Sequence, residues 1–170
     1  MSLSTQDEPT TELTLHDFEE AELAHASFRK TWRRQLPAVL LGVILSVLLF
    51  VSGEVVFGTV AALIAFGYLA LYPTRLERAA RRKYAFLPPS EHVVSFAHDE
   101  AGIRLAVGSE FRAAFPWKEL AAVCHFEDIY LFYPPSTGVE LCHIVPARAI
   151  RDEVGLAASL TANGVRVANL

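Results

Sequence analysis

The residues most able to do chemistry are two repeated dipeptides, Cys124-His125 and Cys142-His143. Two thiolates and two imidazoles make a donor set for a tetrahedral zinc site, and two thiols make a redox pair. Both chemistries need the side chains to converge. Adjacent residues on a strand point to opposite faces, so each cysteine diverges from its neighbouring histidine. A hairpin turning near Pro135-Ser136 pairs position 142 with a residue near 129 rather than with 124. The cysteines then stand about two strands, or roughly 10 Å, apart. A disulfide needs Cα atoms within about 7 Å and an oxidising compartment. The spacing therefore predicts buried cysteines and edge histidines, with a metal- or redox-responsive sensor at Cys124 and Cys142 as the sharper rival.

Other catalytic patterns are missing. His16, His25, His92 and His98 complete a set of six histidines with no local metal-ligand spacing such as HExxH. Nucleophile elbows, phosphate-cradling glycine loops and dinucleotide fingerprints are absent. Asp99-Glu100 and Ser109-Glu110 fall in turn signals, where polar side chains serve the backbone. The reading is that the chain has no catalytic residue, no cofactor and no metal ligand, and is not an enzyme.

The elements that would hold these residues are dominated by one feature. The chain has 170 residues, 52% hydrophobic and 20% charged, with a formal net charge of −4 and a mean hydropathy of +0.31. That excludes a disordered chain and argues against a nucleic-acid partner. The 37 residues from Leu36 to Tyr72 contain a single charge, Glu54. As one helix they would extend about 55 Å, well beyond a ~30 Å hydrocarbon core. The run must turn, and Ser52-Gly53-Glu54 is the place. It splits into Leu36–Ser52 and Val55–Tyr72, with Pro37 in a first helical turn and Trp32 and Tyr72 as interfacial anchors. Gly58, Ala61, Ala62, Ala65 and Gly67 would let two antiparallel helices approach closely. A cleavable signal is not expected, since the run starts at residue 36 and a second apolar stretch follows.

Orientation follows from the flanks. Arg29, Lys30, Arg33 and Arg34 precede the run; Arg75, Arg78, Arg81, Arg82 and Lys83 follow it, and the turn has no basic residue. The positive-inside bias places both termini in the cytoplasm of a multi-pass inner-membrane protein, with the bilayer as the first partner.

The remaining segments divide by composition. Residues 1–13 are polar, acidic and expected to be mobile. Residues 14–34 form an amphipathic helix, capped by Thr14 or Asp17, running into the apolar hairpin at 35–73. A basic juxtamembrane helix covers 74–88 until Pro88-Pro89 stops it. Residues 89–170 read as about six short strands with a turn every ten residues, including Val139–Val145, then a helix over Ala147–Leu160 and a short end near Val165–Ala168. Trp117 is expected in the core. Tyr130, Phe132 and Tyr133 alternate across one strand, so one of its aromatic faces is a candidate partner contact or packs on Leu15–Arg34.

Several segments together resemble the YcxB-like membrane proteins of bacteria. They are Leu13-Thr14-Leu15-His16-Asp17-Phe18, Tyr72-Pro73-Thr74-Arg75 with Arg81-Arg82-Lys83-Tyr84, and Gly102-Ile103. Trp117-Lys118-Glu119-Leu120 with Val123, Asp128-Ile129-Tyr130-Leu131-Phe132, and Ile144-Val145-Pro146-Ala147-Arg148-Ala149-Ile150 continue the likeness, which covers about residues 13–155. Order and spacing carry it, while the Cys and His residues near 124 and 142 depart from it. The resemblance implies a transmembrane helical hairpin followed by a pleckstrin-homology-like antiparallel barrel or sheet with a C-terminal helix. It implies no catalytic residues. A phosphoinositide site is not expected, because the first hairpin carries Asp99 and Glu100 with only Arg104 and Arg112 nearby. The expected function is a non-enzymatic scaffold that presents an interaction or regulatory domain to a protein partner, a second copy included. The rival is an oligomeric transport or channel subunit, although only Ser46, Ser52 and Thr59 would line a path.

Overall fold

The computed structural model describes residues 10–108, 111–134 and 142–169. Residues 1–9, the turn residues Ser109 and Glu110, and the loop and strand start expected at 135–141 lie outside the described residues.

The chain opens with strand β1 (Thr10–Glu12), so the end of the segment expected to be mobile is ordered. Helix α1 (Leu15–Phe28) follows. Its start is a capping box: Asp17 N donates to Thr14 Oγ1 at 3.3 Å and Thr14 N donates to Asp17 Oδ2 at 2.6 Å. Beyond Phe28 the helix does not run on into the apolar stretch as expected. Lys30 takes a left-handed conformation, with φ at 52°, and a short 3-10 helix spans Thr31–Arg34. That break lets α2 (Leu36–Val51) leave in a new direction. The turn at Gly53, with φ at 85°, returns the chain through α3 (Val55–Ala70). Then α4 (Tyr72–Phe86) departs from α3 at 41° and packs along α1.

Two four-stranded sheets follow. The first has the order β1-β2-β3-β4, all antiparallel, with β2 (Val93–His98), β3 (Gly102–Val107) and β4 (Phe111–Pro116). Gly102 is required at its position, because a Cβ there would meet the Phe115 carbonyl oxygen at 2.1 Å. The second has the order β7-β6-β5-β8. Its members are β5 (Ala122–Phe126), β6 (Ile129–Tyr133), β7 (His143–Pro146) and β8 (Val167–Asn169). Strand β8 lies parallel to β5. The last helix, α5 (Glu153–Ala162), begins later than the sequence pattern indicated. Ala147–Ala149 form a 3-10 turn after Pro146, and the Asp152 carboxylate caps α5 by accepting from Gly155 N at 2.8 Å.

One core lies between the sheets, joining Val94, Phe96, Ile103 and Leu105 to Val123, Phe132 and Val145, closed by Leu156 and Leu160 of α5 and by Trp117. Trp117 Nε1 donates to the Asp99 carbonyl at 3.0 Å, which satisfies its one polar atom. A second core lies on the opposite face of the second sheet, where Ala21 and Ala24 of α1 meet Ala122, Cys124, Ile129, Leu131 and Tyr133. Period-two alternation along β6 divides its side chains between the two cores.

Two expectations of fold class are corrected. The apolar run does not form a transmembrane hairpin of two full spans. Each helix has 16 residues, about 24 Å at 1.5 Å per residue, and no single described helix is long and apolar enough to cross a membrane. The first helix ends at Val51 with Ser52 as its C-cap, and the bend after Ala70 hands Tyr72 to the polar helix α4. Nor does a pleckstrin-homology-like barrel close. The strands separate into two sheets, because the chain between β4 and β5 turns through the 3-10 helix Trp117–Glu119 instead of continuing the ladder.

Candidate functional site

The feature that sets this chain apart is the surface of its helical hairpin. Helices α2 and α3 meet through small residues. A Cβ on Gly42 would stand 2.8 Å from the Ala65 Cβ, and Ser46 Oγ donates to the Gly58 carbonyl at 2.7 Å. The two contacts run antiparallel, and Ser46, Gly58 and Ala65 are buried at the crossing. Most of the large side chains point outward. Leu41 is 68% exposed, Val51 83%, Val56 72% and Ile64 67%. Glu54 is exposed at the tip.

The base of the hairpin is polar and tied. The hydroxyls of Thr31 and Tyr72 are 2.5 Å apart, joining the chain that enters to the chain that leaves. The Arg75 guanidinium lies 4.4 Å from the centre of the Tyr68 ring, within cation–π range. Of the basic residues predicted to flank a membrane, Lys30, Arg33, Arg75, Arg78, Arg81, Arg82 and Lys83 are exposed and Arg29 is half-buried, while the side chain of Arg34 lies outside the description. They do not act alike. Arg81 Nε donates to Glu19 Oε1 at 3.2 Å, and Lys83 pairs with Glu22. Those two cations therefore clamp α4 onto the acidic face of α1, while Arg75 and Arg78 are exposed on the first turns of α4, next to the hairpin, and Arg82 is exposed further along the same helix.

The cysteines come together differently from the zinc pattern. Cys124 and Cys142 are free thiols that share the second core with Tyr133. The companion of Cys142 is His25 of α1, whose Nδ1 is 3.9 Å from Sγ and 3.1 Å from the Tyr133 hydroxyl. Their own histidines turn away, as strand alternation demands: His125 stacks on Tyr130 at 4.2 Å, and His143 sits 5.5 Å from Phe115. Burial pushes both thiols up to about 11. Burial also lowers His25 and raises Tyr133. A neutral thiol beside a neutral imidazole is the opposite of a thiolate–imidazolium nucleophile. Among the described residues, no three His, Cys, Asp or Glu side chains converge as metal ligands.

The aromatic trio is not a free surface. Phe132 lies in the core between the sheets, its ring tilted against that of Phe96 with centres 5.2 Å apart, and Tyr133 lies under α1 against Phe28 at 4.9 Å. Only Tyr130 is partly exposed. Both faces of β6 are thus covered from within, because α1 and the first sheet each pack on one of them.

Sequence reasoning missed an ionic staple between α1 and the segment after β7. Asp17, 1% exposed, receives Arg148 Nη1 at 2.7 Å on Oδ1 and Nη2 at 2.5 Å on Oδ2. Burial works to raise the Asp17 carboxyl, but the hydrogen bonds from Arg148 and Thr14 outweigh it and hold it below its ordinary 3.8. One turn along, Glu20 is buried with one oxygen lacking a partner. Burial raises it, and the neighbouring Glu127 and Asp128 add to the rise against the pull of His16. The partners of Asp17 and Arg148 are 131 residues apart, so only the capping box had a local signal. Arg104, considered for phosphate binding, stands 3.4 Å from the Asp99 carboxylate; the side chain of Arg112 lies outside the description.

No family model, no curated protein and no solved structure matches this chain. The likeness to YcxB-like proteins rests on the sequence segments alone.

Proposed function

We propose that this chain is a non-enzymatic membrane-anchoring module. Its apolar hairpin enters and leaves a bilayer by one face, and the two-sheet body stays on the cytoplasmic side as a platform for a protein partner. One observation carries the reading: large aliphatic side chains cover the outward surface of a helix pair that exposed cations precede and follow in the chain. An apolar patch of this extent is far larger than monomeric soluble proteins expose, and lipid is the solvent in which it costs nothing. A hairpin needs no backbone partner from the lipid, because helical hydrogen bonds are internal. At about 24 Å, the hairpin reaches deep into a ~30 Å core from one side. The cations of α4 and of the entry turn then lie among headgroups, which supports a cytoplasmic body on the positive-inside bias. The non-enzymatic reading is supported by the neutral Cys142–His25 pair, the most reactive combination described.

The test is flotation of the full chain with vesicles. Mixed with phosphatidylethanolamine and phosphatidylglycerol vesicles, the chain should float and resist extraction by alkaline carbonate. The variant with Leu41, Val56, Leu63 and Ile64 changed to Gln should remain at the bottom of the gradient. Wild type that stays monomeric in detergent-free, lipid-free buffer would overturn the reading.

A further inference from the structure

The hairpin surface is not smooth. Along one side, Ala38, Gly42 and Leu45 of α2 face Ala61, Ala65 and Tyr68 of α3 across an apolar groove of about 260 Å³. Each row recurs at three- and four-residue helical spacing, so the groove runs along the hairpin. Small residues form its floor because the helices approach closely there. One end lies near the base, where the ring of Tyr68 carries the Arg75 guanidinium 4.4 Å above it. An apolar trough thus ends at a positioned cation.

We propose that this groove binds one acyl chain of an anionic phospholipid, with Arg75 holding the phosphate. The proposal rests on the membrane-anchoring reading above and adds a defined lipid site to it. Charge complementarity selects the occupant. A guanidinium offers two donors to a phosphate, and its stacking on Tyr68 limits the side-chain freedom that binding must remove. A second copy of the hairpin in the same groove would bring two pairs of Arg75 and Arg78 side by side, like charge against like charge. An anionic headgroup neutralises that charge instead.

Native mass spectrometry of the detergent-solubilised full chain, titrated with dimyristoyl phosphatidylglycerol or dimyristoyl phosphatidylcholine, reads the site directly. One phosphatidylglycerol should be retained per chain, at least about tenfold more tightly than phosphatidylcholine. Arg75→Gln should lose that preference and Arg82→Gln should keep it, which separates a site from general charge. Ala61→Phe, which fills the groove, should release the lipid. Equal retention of both lipids, or indifference to Arg75→Gln, would overturn the proposal. So would a dimer dispersed by Ala61→Phe, which would make the groove an interface between copies. Vesicle flotation of the same variants distinguishes the two failures: a chain that floats but shows no selective lipid refutes only the site, and one that does not float refutes the anchor as well.

Discussion

Asp17 and Glu20 lie one turn apart on α1 and are both buried, yet their surroundings shift them in opposite directions. Asp17 titrates below its ordinary 3.8, so its contribution to stability is present above that pH and is lost as pH falls through its lowered folded value. Glu20 titrates above its ordinary 4.5, so its contribution is complete below that pH and is lost as pH rises through its folded value. At neutral pH the first carboxylate therefore supports the docking of α1 and the second opposes it. Replacing Glu20 with Gln should raise stability at pH 7 by about 1 kcal/mol, because a buried charge with an unpartnered oxygen is removed. Arg148→Met should lower it by about 2 kcal/mol, less than for a fully buried pair because Arg148 is partly exposed. Denaturant midpoints in mild detergent check both. The gain from Glu20→Gln should shrink as pH falls toward 4.5, and the loss from Arg148→Met should shrink below pH 4.

Among the elements, the hairpin depends on one close approach. Gly42 has no room for a side chain beside Ala65, whereas a Cβ at Gly67 would meet nothing within 4 Å. Gly42→Leu should force α2 and α3 apart and cost about 1–3 kcal/mol. Amide hydrogen exchange across both helices should then quicken by about tenfold or more in bilayers, while Gly67→Leu leaves it unchanged. Equal effects of the two would mean that helix propensity, and not the crossing, controls the hairpin. The α1–α4 clamp differs in kind. Its ion pairs, Arg81–Glu19 and Lys83–Glu22, have exposed cations and contribute roughly 0–1 kcal/mol each. The firmer link is the edge-on packing of Phe18 against Tyr84, with ring centres 5.5 Å apart.

Taken whole, and on the membrane-anchoring proposal, the molecule would join two different solvents. Its sheets, α1 and α5 form a two-core body, and its hairpin carries most of the exposed large apolar side chains. Two forces then act at different ranges. Attraction between the exposed basic residues and anionic headgroups works over a Debye length, about 10 Å at 0.1 M salt and 3 Å at 1 M. Burial of the hairpin is indifferent to salt. Raising salt from about 0.05 M to 0.5 M should therefore slow association with phosphatidylglycerol vesicles several-fold, as read by stopped-flow light scattering, while the amount bound at equilibrium changes little. Complete release of bound protein at high salt would show that charge alone holds it.

How much of this was legible beforehand differs by element. The hairpin turn at Gly53, the strands Ala122–Phe126 and Ile129–Tyr133 and the stop after Phe86 were all readable, because turn residues, period-two alternation and proline act locally. Alternation on β5 likewise predicted that Cys124 and His125 would part. Partnerships across the chain were not readable: β1 on β2, Arg148 on Asp17, and His25 beside Cys142; the packing of α1 on β6 was one of the two alternatives that its aromatic residues left open. Each joins residues with no shared local signal, and each follows from which faces remain to be covered once the sheets form. The two full spans and the barrel-like sheet were read wrongly for the same reason. Composition specifies that residues 36–72 avoid water, but it did not mark the bend between Ala70 and Tyr72 that ends the second apolar helix. The chain by itself determined where oil and charge lie; the packing of α1 on the second sheet and of α4 on α1 decided how much of each is left exposed.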